Sequence, residues 1–312
     1  MNNPPPAKAP SLIDLDSYRK VNLFLARAMM VLVFSSWAAA APSADDAPLP
    51  VSYAIDLREP ATHLAKVTMT IPGAGPGTEI QFPAWNALYQ IRDFVKNVQG
   101  IAARCDERPL ELVRLDLYTW SSGEQSCSAL EVRYAVYLSE SSVFSSGLNE
   151  QHAYLNPAMV LFYIPRARPR AVRVRFLVPE NWKLATFLDG PSPDGVYSAA
   201  NYDELADSPV EAGTFQEYQY QQNGALYRII VDAEPHTYGS ERLIESIKKI
   251  TAAGTSLMQG VPFSRYTFLY HFGRESGGGM EHRNGTAISV AAKDLRSNWL
   301  GLEAVSAHEF VH

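Results

Sequence analysis

The feature that most constrains the fold is a regular alternation of apolar and polar residues between about residue 51 and residue 232. The first run, at 51–57, reads V-S-Y-A-I-D-L. A period of two places successive side chains on opposite faces of an extended chain, so the run predicts a strand with one buried face. The alternation recurs, with one slip at Val113, in three further runs: 110–117, 130–138 and 172–178.

Turn-forming segments separate these runs. They read P-G-A-G-P-G at 72–77, S-S-G-E at 121–124 and D-G-P-S-P-D-G at 189–195. Many short strands with such joints are typical of antiparallel β-sandwiches. We therefore predict an antiparallel β-sandwich-like domain over residues 50–230.

The pattern changes after residue 232. Ser240 can cap a helix with an apolar stripe of Leu243, Ile244, Ile247 and Ile250. A strand at 266–272, a glycine-rich turn at 277–279, a strand at 286–290 and a helix from Leu302 follow. Helix, strand, strand and helix predict a second architecture, of α+β type, over residues 231–312, so the predicted fold class is α+β with more than one domain.

Composition excludes two classes of protein. Hydrophobic residues make up 46% of the chain and charged residues 19%, which is enough apolar surface for a large core and excludes a mostly disordered chain. The formal net charge is −6. Nucleic-acid binding usually requires a basic domain, so no nucleic-acid partner is predicted.

The N-terminus resembles an export signal. Arg19 and Lys20 precede a short apolar run at 28–41, which ends in small residues. This pattern predicts a signal peptide or leader over residues 1–42 and a periplasmic or extracellular protein. A short membrane anchor or a buried helix is the alternative. No membrane-spanning segment is predicted after removal of the leader.

The chain has two cysteines, Cys105 and Cys127, each beside a predicted strand. In an oxidising compartment they could form a disulfide between neighbouring strands, which the predicted export favours. Two free buried thiols are the alternative. Zinc binding by this pair is disfavoured because paired C-x-x-C spacing is absent from the sequence.

The string H-E-F-V-H occupies residues 308–312. On a helix, His308 and His312 lie about 40° apart, one turn along the same face. Two such imidazoles can hold one Zn²⁺, with Glu309 acting as general base. The alternative is a polar helix face with two solvated histidines.

A second string, G-G-G-M-E-H at 277–282, follows the predicted strand at 266–272. Glycines allow an extended peptide to approach and pair with the edge of a strand. A carboxylate at the end of that edge, such as Glu281, can hold a protonated α-amine. The alternative is a glycine-rich hairpin turn with a solvated glutamate.

Together the two strings resemble the gluzincin aminopeptidases. His282, followed by R-N-G-T, is similar to the glycyl aminopeptidase family of zinc metallopeptidases, many of which carry a C-terminal PDZ domain. The segments F-P-A-W-N-A-L-Y-Q-I-R-D-F at 82–94 and N-Y-D-E-L-A-D-S-P-V-E-A-G at 201–213 resemble segments of the same family. The resemblance covers the chain from about residue 50 to residue 312.

The resemblance implies an N-terminal β domain followed by the start of a thermolysin-like catalytic domain. It implies that His308 and His312 bind zinc and that Glu309 is the catalytic base. The implied substrate-binding segment consists of Gly278, Gly279, Met280, Glu281 and His282, with Glu281 recognising the free amine. The implied partners are peptides with a free N-terminus, and the implied activity is release of N-terminal Gly or, to a lesser extent, Ala.

The sequence departs from the family in one respect. The family's third zinc ligand is a Glu beyond the second histidine, and nothing follows His312 here. We therefore expect an N-terminal fragment of a longer enzyme that binds zinc weakly and is inactive, since catalytic zinc normally has three protein ligands. Two alternatives are a non-catalytic β-sandwich interaction module of a degenerate peptidase and a zinc endopeptidase.

Overall fold

The computed structural model describes residues 48–85, 91–140, 142–234, 237–275 and 277–312. Residues 48–312 belong to one compact unit. The predicted leader at 1–42 lies outside the described residues. Among the helices that are described, none combines the length and the apolar character needed to cross a bilayer.

The described elements are mostly strands. In chain order the strands are β1 (Val51–Asp56), β2 (Leu64–Ala74), β3 (Glu79–Gln81), β4 (Val98–Cys105), β5 (Arg108–Leu110), β6 (Val113–Arg114), β7 (Thr119–Ser121), β8 (Cys127–Tyr137), β9 (Gly147–Leu148), β10 (His152–Leu155), β11 (Val172–Leu177), β12 (Lys183–Thr186), β13 (Val196–Ala199), β14 (Val210–Gly213), β15 (Gln216–Gln222), β16 (Ala225–Ala233), β17 (Arg265–Gly273), β18 (Gly278–His282) and β19 (Gly285–Ala291). The α-helices are α1 (Tyr202–Ala206), α2 (Ser240–Leu257), α3 (Asp294–Ser297) and α4 (Trp299–Val311). Short 3-10 helices lie at Pro60–Thr62, Phe94–Asn97, Pro157–Met159 and Pro165–Ala167.

A seven-stranded sheet, in the order β13-β11-β1-β2-β8-β4-β5, forms the largest layer. The alternation is confirmed at 51–57 and 130–138, where β1 and β8 bury alternate residues, and at 172–174, since β11 buries Val172 and Val174 but leaves Phe176 half-buried. The sheet departs from the predicted antiparallel arrangement at one pair, because β1 and β11 run parallel. A parallel neighbour requires a long crossover, and the chain between β8 and β11 supplies it.

A three-stranded sheet, β3-β7-β6, and a four-stranded sheet, β12-β14-β10-β9, accompany the large sheet. Ile80 of β3, Trp120 of β7 and Val210 of β14 share one buried core with the large sheet. This packing of sheets around a common core is consistent with the predicted β-sandwich-like domain.

The continuous strand predicted at 110–117 is wrong. The chain there forms only β5 and β6, which pair with β4 and β7 respectively. Leu115 and Leu117 are 52% and 51% exposed, so these leucines do not mark a buried face.

The disulfide is present in the structure. The Cys105 and Cys127 sulfur atoms are bonded, with 5.2 Å between the Cα atoms. Cys105 ends β4 and Cys127 begins β8, which are neighbours in the large sheet. The bond therefore joins adjacent strands.

A five-stranded sheet, β15-β16-β17-β19-β18, follows. The predicted domain boundary near residue 230 falls inside β16, and this sheet begins at Gln216. The alternation continues through 216–233, but pairing partners rather than period decide which sheet a strand joins. The predicted helix is observed as α2, although Gly239 is its N-cap and Ser240 makes no side-chain capping bond.

The five-stranded sheet has two buried faces. One face packs against α2 and α4 through residues that include Tyr227, Phe268 and Leu302. The opposite face, with Leu269 and Met280, packs against residues of the preceding sheets. The helices therefore lie on the face from which Gly279 and Glu281 project.

Candidate functional site

Helix α4 carries the H-E-F-V-H string and positions its two histidines. The Asn298 side chain caps the helix by accepting a hydrogen bond from the Gly301 N–H. Leu302, Ser306 and Glu309 are buried at helical spacing, so the helix has a fixed rotation. His308 and His312 are on an exposed face, and their Nε2 atoms lie 3.1 Å apart. The predicted arrangement of two imidazoles one turn apart is present.

Glu309 is a buried carboxylate, with 6% of its surface exposed. Its side chain packs against the backbone of Gly279, where an added Cβ would clash with the Glu309 carboxylate. Oε2 has no hydrogen-bond partner among the described residues. Burial, followed by the negative charge of Glu281, raises the pKa of Glu309 above its usual value. A poorly solvated carboxylate of this kind has the proton affinity that a general base requires.

The G-G-G-M-E-H segment forms strand β18, not the glycine-rich turn predicted at 277–279. β18 is an edge strand that pairs antiparallel with β19 on one side. The backbone of Gly278 has a φ of 85°, a conformation that favours glycine, and Gly279 lies under the Glu309 carboxylate. Small residues therefore allow α4 to approach an edge that another extended chain could join.

The side chains of β18 alternate between two environments. Glu281 shares a face with Gly279 and is half-buried beside Glu309. Met280 lies on the opposite face and is fully buried in the core between the sheets. The methionine predicted as substrate-binding therefore supports the strand from behind, while the carboxylate faces the site.

His282 is covered by residues that precede the five-stranded sheet in the chain. Its side chain is 1% exposed, and its Nδ1 lies 3.0 Å from Asp207 Oδ1. The other Asp207 oxygen accepts the Arg283 N–H at 2.9 Å. The Phe187 ring packs edge-on against His282. These contacts fix the position of the hairpin, and the substrate-binding role predicted for His282 stays a prediction.

An open pocket of about 340 Å³ lies beside this constellation. Phe263, Tyr266, Glu281, His282 and His312 line part of it. The pocket is thus bordered both by the strand that could bind an amine and by His312 of the histidine pair.

Two residues important to this geometry were missed by the sequence analysis. Asp207 belongs to the 201–213 segment, and Phe187 precedes a turn-rich segment. Their contacts with the β18–β19 hairpin depend on sheet packing, for which the local pattern contains no signal.

Comparison with known proteins agrees with this architecture. Residues 52–214 match the family model of the peptidase M61 N-terminal domain, which is just over half of the chain. The chain therefore belongs to the peptidase M61 N-terminal domain family. A comparison with curated proteins gave no match.

Solved structures share the fold over most of the chain. An aminopeptidase N family protein from Idiomarina loihiensis is 26% identical, with a TM-score of 0.79, and the alignment covers 84% of this chain and 47% of that one. An aminopeptidase A from Legionella pneumophila, crystallised with aspartic acid, is 11% identical with a TM-score of 0.52, covering 84% and 34% of the two chains. An M1 zinc metallopeptidase from Deinococcus radiodurans is 14% identical with a TM-score of 0.50, covering 84% and 63%. The chain spans about half the length of the Idiomarina protein.

Proposed function

We propose that the chain is part of a zinc-dependent metallopeptidase, an aminopeptidase that releases N-terminal Gly or Ala from peptides. The observation that carries the proposal is the packing of buried Glu309 against Gly279 of the edge strand, beside the pair His308 and His312. A base, a metal-binding pair and a strand edge for a peptide therefore meet at one place.

The histidine pair fits a zinc ion. Two Zn–N bonds of about 2.0–2.1 Å in tetrahedral geometry place the nitrogens about 3.3 Å apart, and the Nε2 atoms here are separated by 3.1 Å. Zinc would supply Lewis-acid polarisation of the scissile carbonyl. The proposal includes a third protein ligand from a longer protein, in keeping with the family pattern and the partial coverage of the Idiomarina relative.

Residues of this chain would carry out proton transfer, amine binding and backbone pairing with the substrate. Glu309 would accept a proton at Oε2 and later deliver it to the leaving amine. Glu281 would hold the protonated α-amine of the substrate, which sets the distance from the N-terminus to the scissile bond. The backbone of Gly278 and Gly279 would pair with the substrate. The preference for Gly rests on the resemblance to the glycyl aminopeptidases.

Peptides with free and acetylated N-termini test this assignment. The protein encoded by the whole gene should cleave free Gly-peptides and fail to cleave N-acetyl-Gly peptides, because acetylation removes the charge that Glu281 recognises. Glu281→Gln should raise KM for the free peptide about tenfold or more, since the charged contact of a half-buried carboxylate with the amine is lost. Glu275→Gln, at an exposed carboxylate just before β18, is the matched control and should leave KM unchanged.

The same assay separates the alternatives. Equal cleavage of free and acetylated peptides would identify an endopeptidase, and no cleavage of either would favour a non-catalytic module. Glu309→Gln should reduce kcat by about 10²–10⁴-fold, as expected for loss of a general base. Retention of full activity in this variant would refute the proposed role of Glu309.

We further propose that the protein is exported. The leader pattern supports this location, and the Cys105–Cys127 disulfide is typical of oxidising compartments. Fractionation of the source cells, with detection of the processed N-terminus, tests the proposal; a cytosolic protein with an intact leader would refute it.

A further inference from the structure

A second group of metal-ligating side chains lies away from the H-E-F-V-H site. It consists of His152 on β10, Glu211 on β14, Asp232 on β16 and His271 on β17. One ligand atom from each residue lies within 4.8 Å of the others. Two of the residues belong to the four-stranded sheet and two to the five-stranded sheet. The cluster therefore lies where the two sheets face each other.

Burial makes this cluster unusual. The Glu211 side chain is 0% exposed, and it lies between two histidines, with His152 Nδ1 at 3.2 Å and His271 Nε2 at 2.7 Å. Asp232 Oδ2 lies 3.6 Å from the same His152 nitrogen. A buried carboxylate is costly unless it is paired with a cation or coordinates a metal. The two carboxylates and two imidazoles converge on a small volume that a single divalent cation could neutralise.

We infer that His152, Glu211, Asp232 and His271 form a structural site for a divalent transition metal such as Zn²⁺, which joins the four-stranded sheet to the five-stranded sheet. Imidazole and carboxylate ligands suit zinc and related metals. Four protein ligands would complete a tetrahedral shell and leave no position for substrate. The site thus differs in purpose from the histidine pair on α4.

The distances agree with this assignment. Ligands on a tetrahedral zinc ion lie about 3.3 Å apart, close to the 3.2 Å between His152 and Glu211 and the 3.6 Å between His152 and Asp232. His271 Nε2 and Glu211 Oε2 lie 2.7 Å apart and form a hydrogen bond. Metal binding would displace the proton of this hydrogen bond. His152 faces Oε1 of Glu211 and His271 faces Oε2, so a metal between the histidines would be held by either oxygen or by both.

The site has a route to solvent. A cavity of about 120 Å³ is lined by residues that include His63, Glu140, His152, Tyr154 and His271. The side chains of His152 and Asp232 are 19% and 34% exposed. A metal could therefore enter from this side after the sheets have packed, whereas Glu211 closes the inner side.

The test measures zinc bound to the 312-residue chain. The purified protein is stripped with a chelator, loaded with Zn²⁺, dialysed against metal-free buffer and analysed for metal. We expect about one zinc per chain in the native sequence and less than about one fifth of that in His271→Asn and Asp232→Asn, because structural zinc needs its full ligand set. Chelation should lower the Tm of the native chain and not that of the two variants.

The double variant His308→Ala/His312→Ala is the matched control, because it removes the other metal-binding pair. It should retain about one zinc per chain under the same conditions. Zinc loss in this variant, or native-level zinc in the two cluster variants, would overturn the inference. Circular dichroism establishes that each variant is folded; if His271→Asn does not fold, Asp232→Asn at the accessible side carries the test.

Cobalt gives a second readout. Co²⁺ bound by four ligands in the cluster should show the intense visible absorption of a tetrahedral site, and Asp232→Asn should abolish this spectrum. A spectrum unchanged by that substitution would also overturn the inference. Neither result depends on peptidase activity, so the metal site and the proposed function can fail separately.

Discussion

At the scale of single residues, the contact between Glu309 and Gly279 decides the geometry of the candidate site. The glycine leaves room for a carboxylate that would otherwise be displaced from the strand edge. Gly279→Ala should therefore push Glu309 away and lower the free energy of unfolding by about 1–3 kcal/mol, the usual cost of overpacking. Urea unfolding measures this change.

Gly273→Ala is the control for this prediction. Gly273 lies in β17 of the same sheet, and a Cβ added there would have open space around it. Its effect should stay within about 0.5 kcal/mol, as for other uncrowded surface positions. If Gly279→Ala proved as stable as Gly273→Ala, the Glu309 carboxylate would be able to move without a loss of folding stability, and the prediction would be wrong.

At the scale of elements, the sequence predicted most of what depends on local period. β1, β8 and β11 follow the alternation because each buries one face. The same alternation predicted a strand at 110–117 that the structure lacks. Leu115 and Leu117 are apolar but exposed, so their spacing does not mark a buried face.

The remaining site features depend on packing between distant strands. The glycine-rich string at 277–279 predicted a turn, but pairing with β19 makes it an edge strand. The positions of His308 and His312 on one helix face could be predicted from the sequence, because helical geometry relates residues four positions apart. The cluster around Glu211 was not predicted, because its four ligands come from four strands that only sheet packing brings together.

The β18–β19 hairpin is held by one carboxylate, Asp207, which follows α1. Asp207 accepts the Arg283 N–H and lies 3.0 Å from Nδ1 of the buried His282, so Asp207→Ala removes both partners and leaves the His282 nitrogen unpaired. This should cost about 1–3 kcal/mol of local stability. Amide hydrogen exchange in residues 278–291 should accelerate by about tenfold or more, as that loss implies.

Asp203→Ala is the matched control, since Asp203 lies on α1 four residues earlier and its side chain is 59% exposed. It pairs with Arg168 at the surface, so its removal should change exchange in the hairpin little. Equal acceleration in both variants would mean that α1, rather than the Asp207 contacts, supports the hairpin.

At the scale of the whole molecule, the disulfide constrains the chain before it folds. Cys105 and Cys127 are separated by 22 positions, and closing such a loop restricts the unfolded ensemble. Replacing both by Ser should lower the free energy of unfolding by about 2–4 kcal/mol. Chemical denaturation with and without reductant measures this: reductant should destabilise the native chain and leave the double variant unchanged, and a native chain insensitive to full reduction would contradict the prediction.

The shared core between the sheets has a consequence for biosynthesis. Tyr154 and Phe187 belong to a buried cluster that Leu269 and Ala287 complete from the five-stranded sheet. During synthesis the earlier residues emerge first and must wait for β17 and β19, roughly 5–27 s at about 5–20 residues per second. During that interval an apolar face has no cover, so the nascent chain passes through a stage in which chaperone binding competes with aggregation.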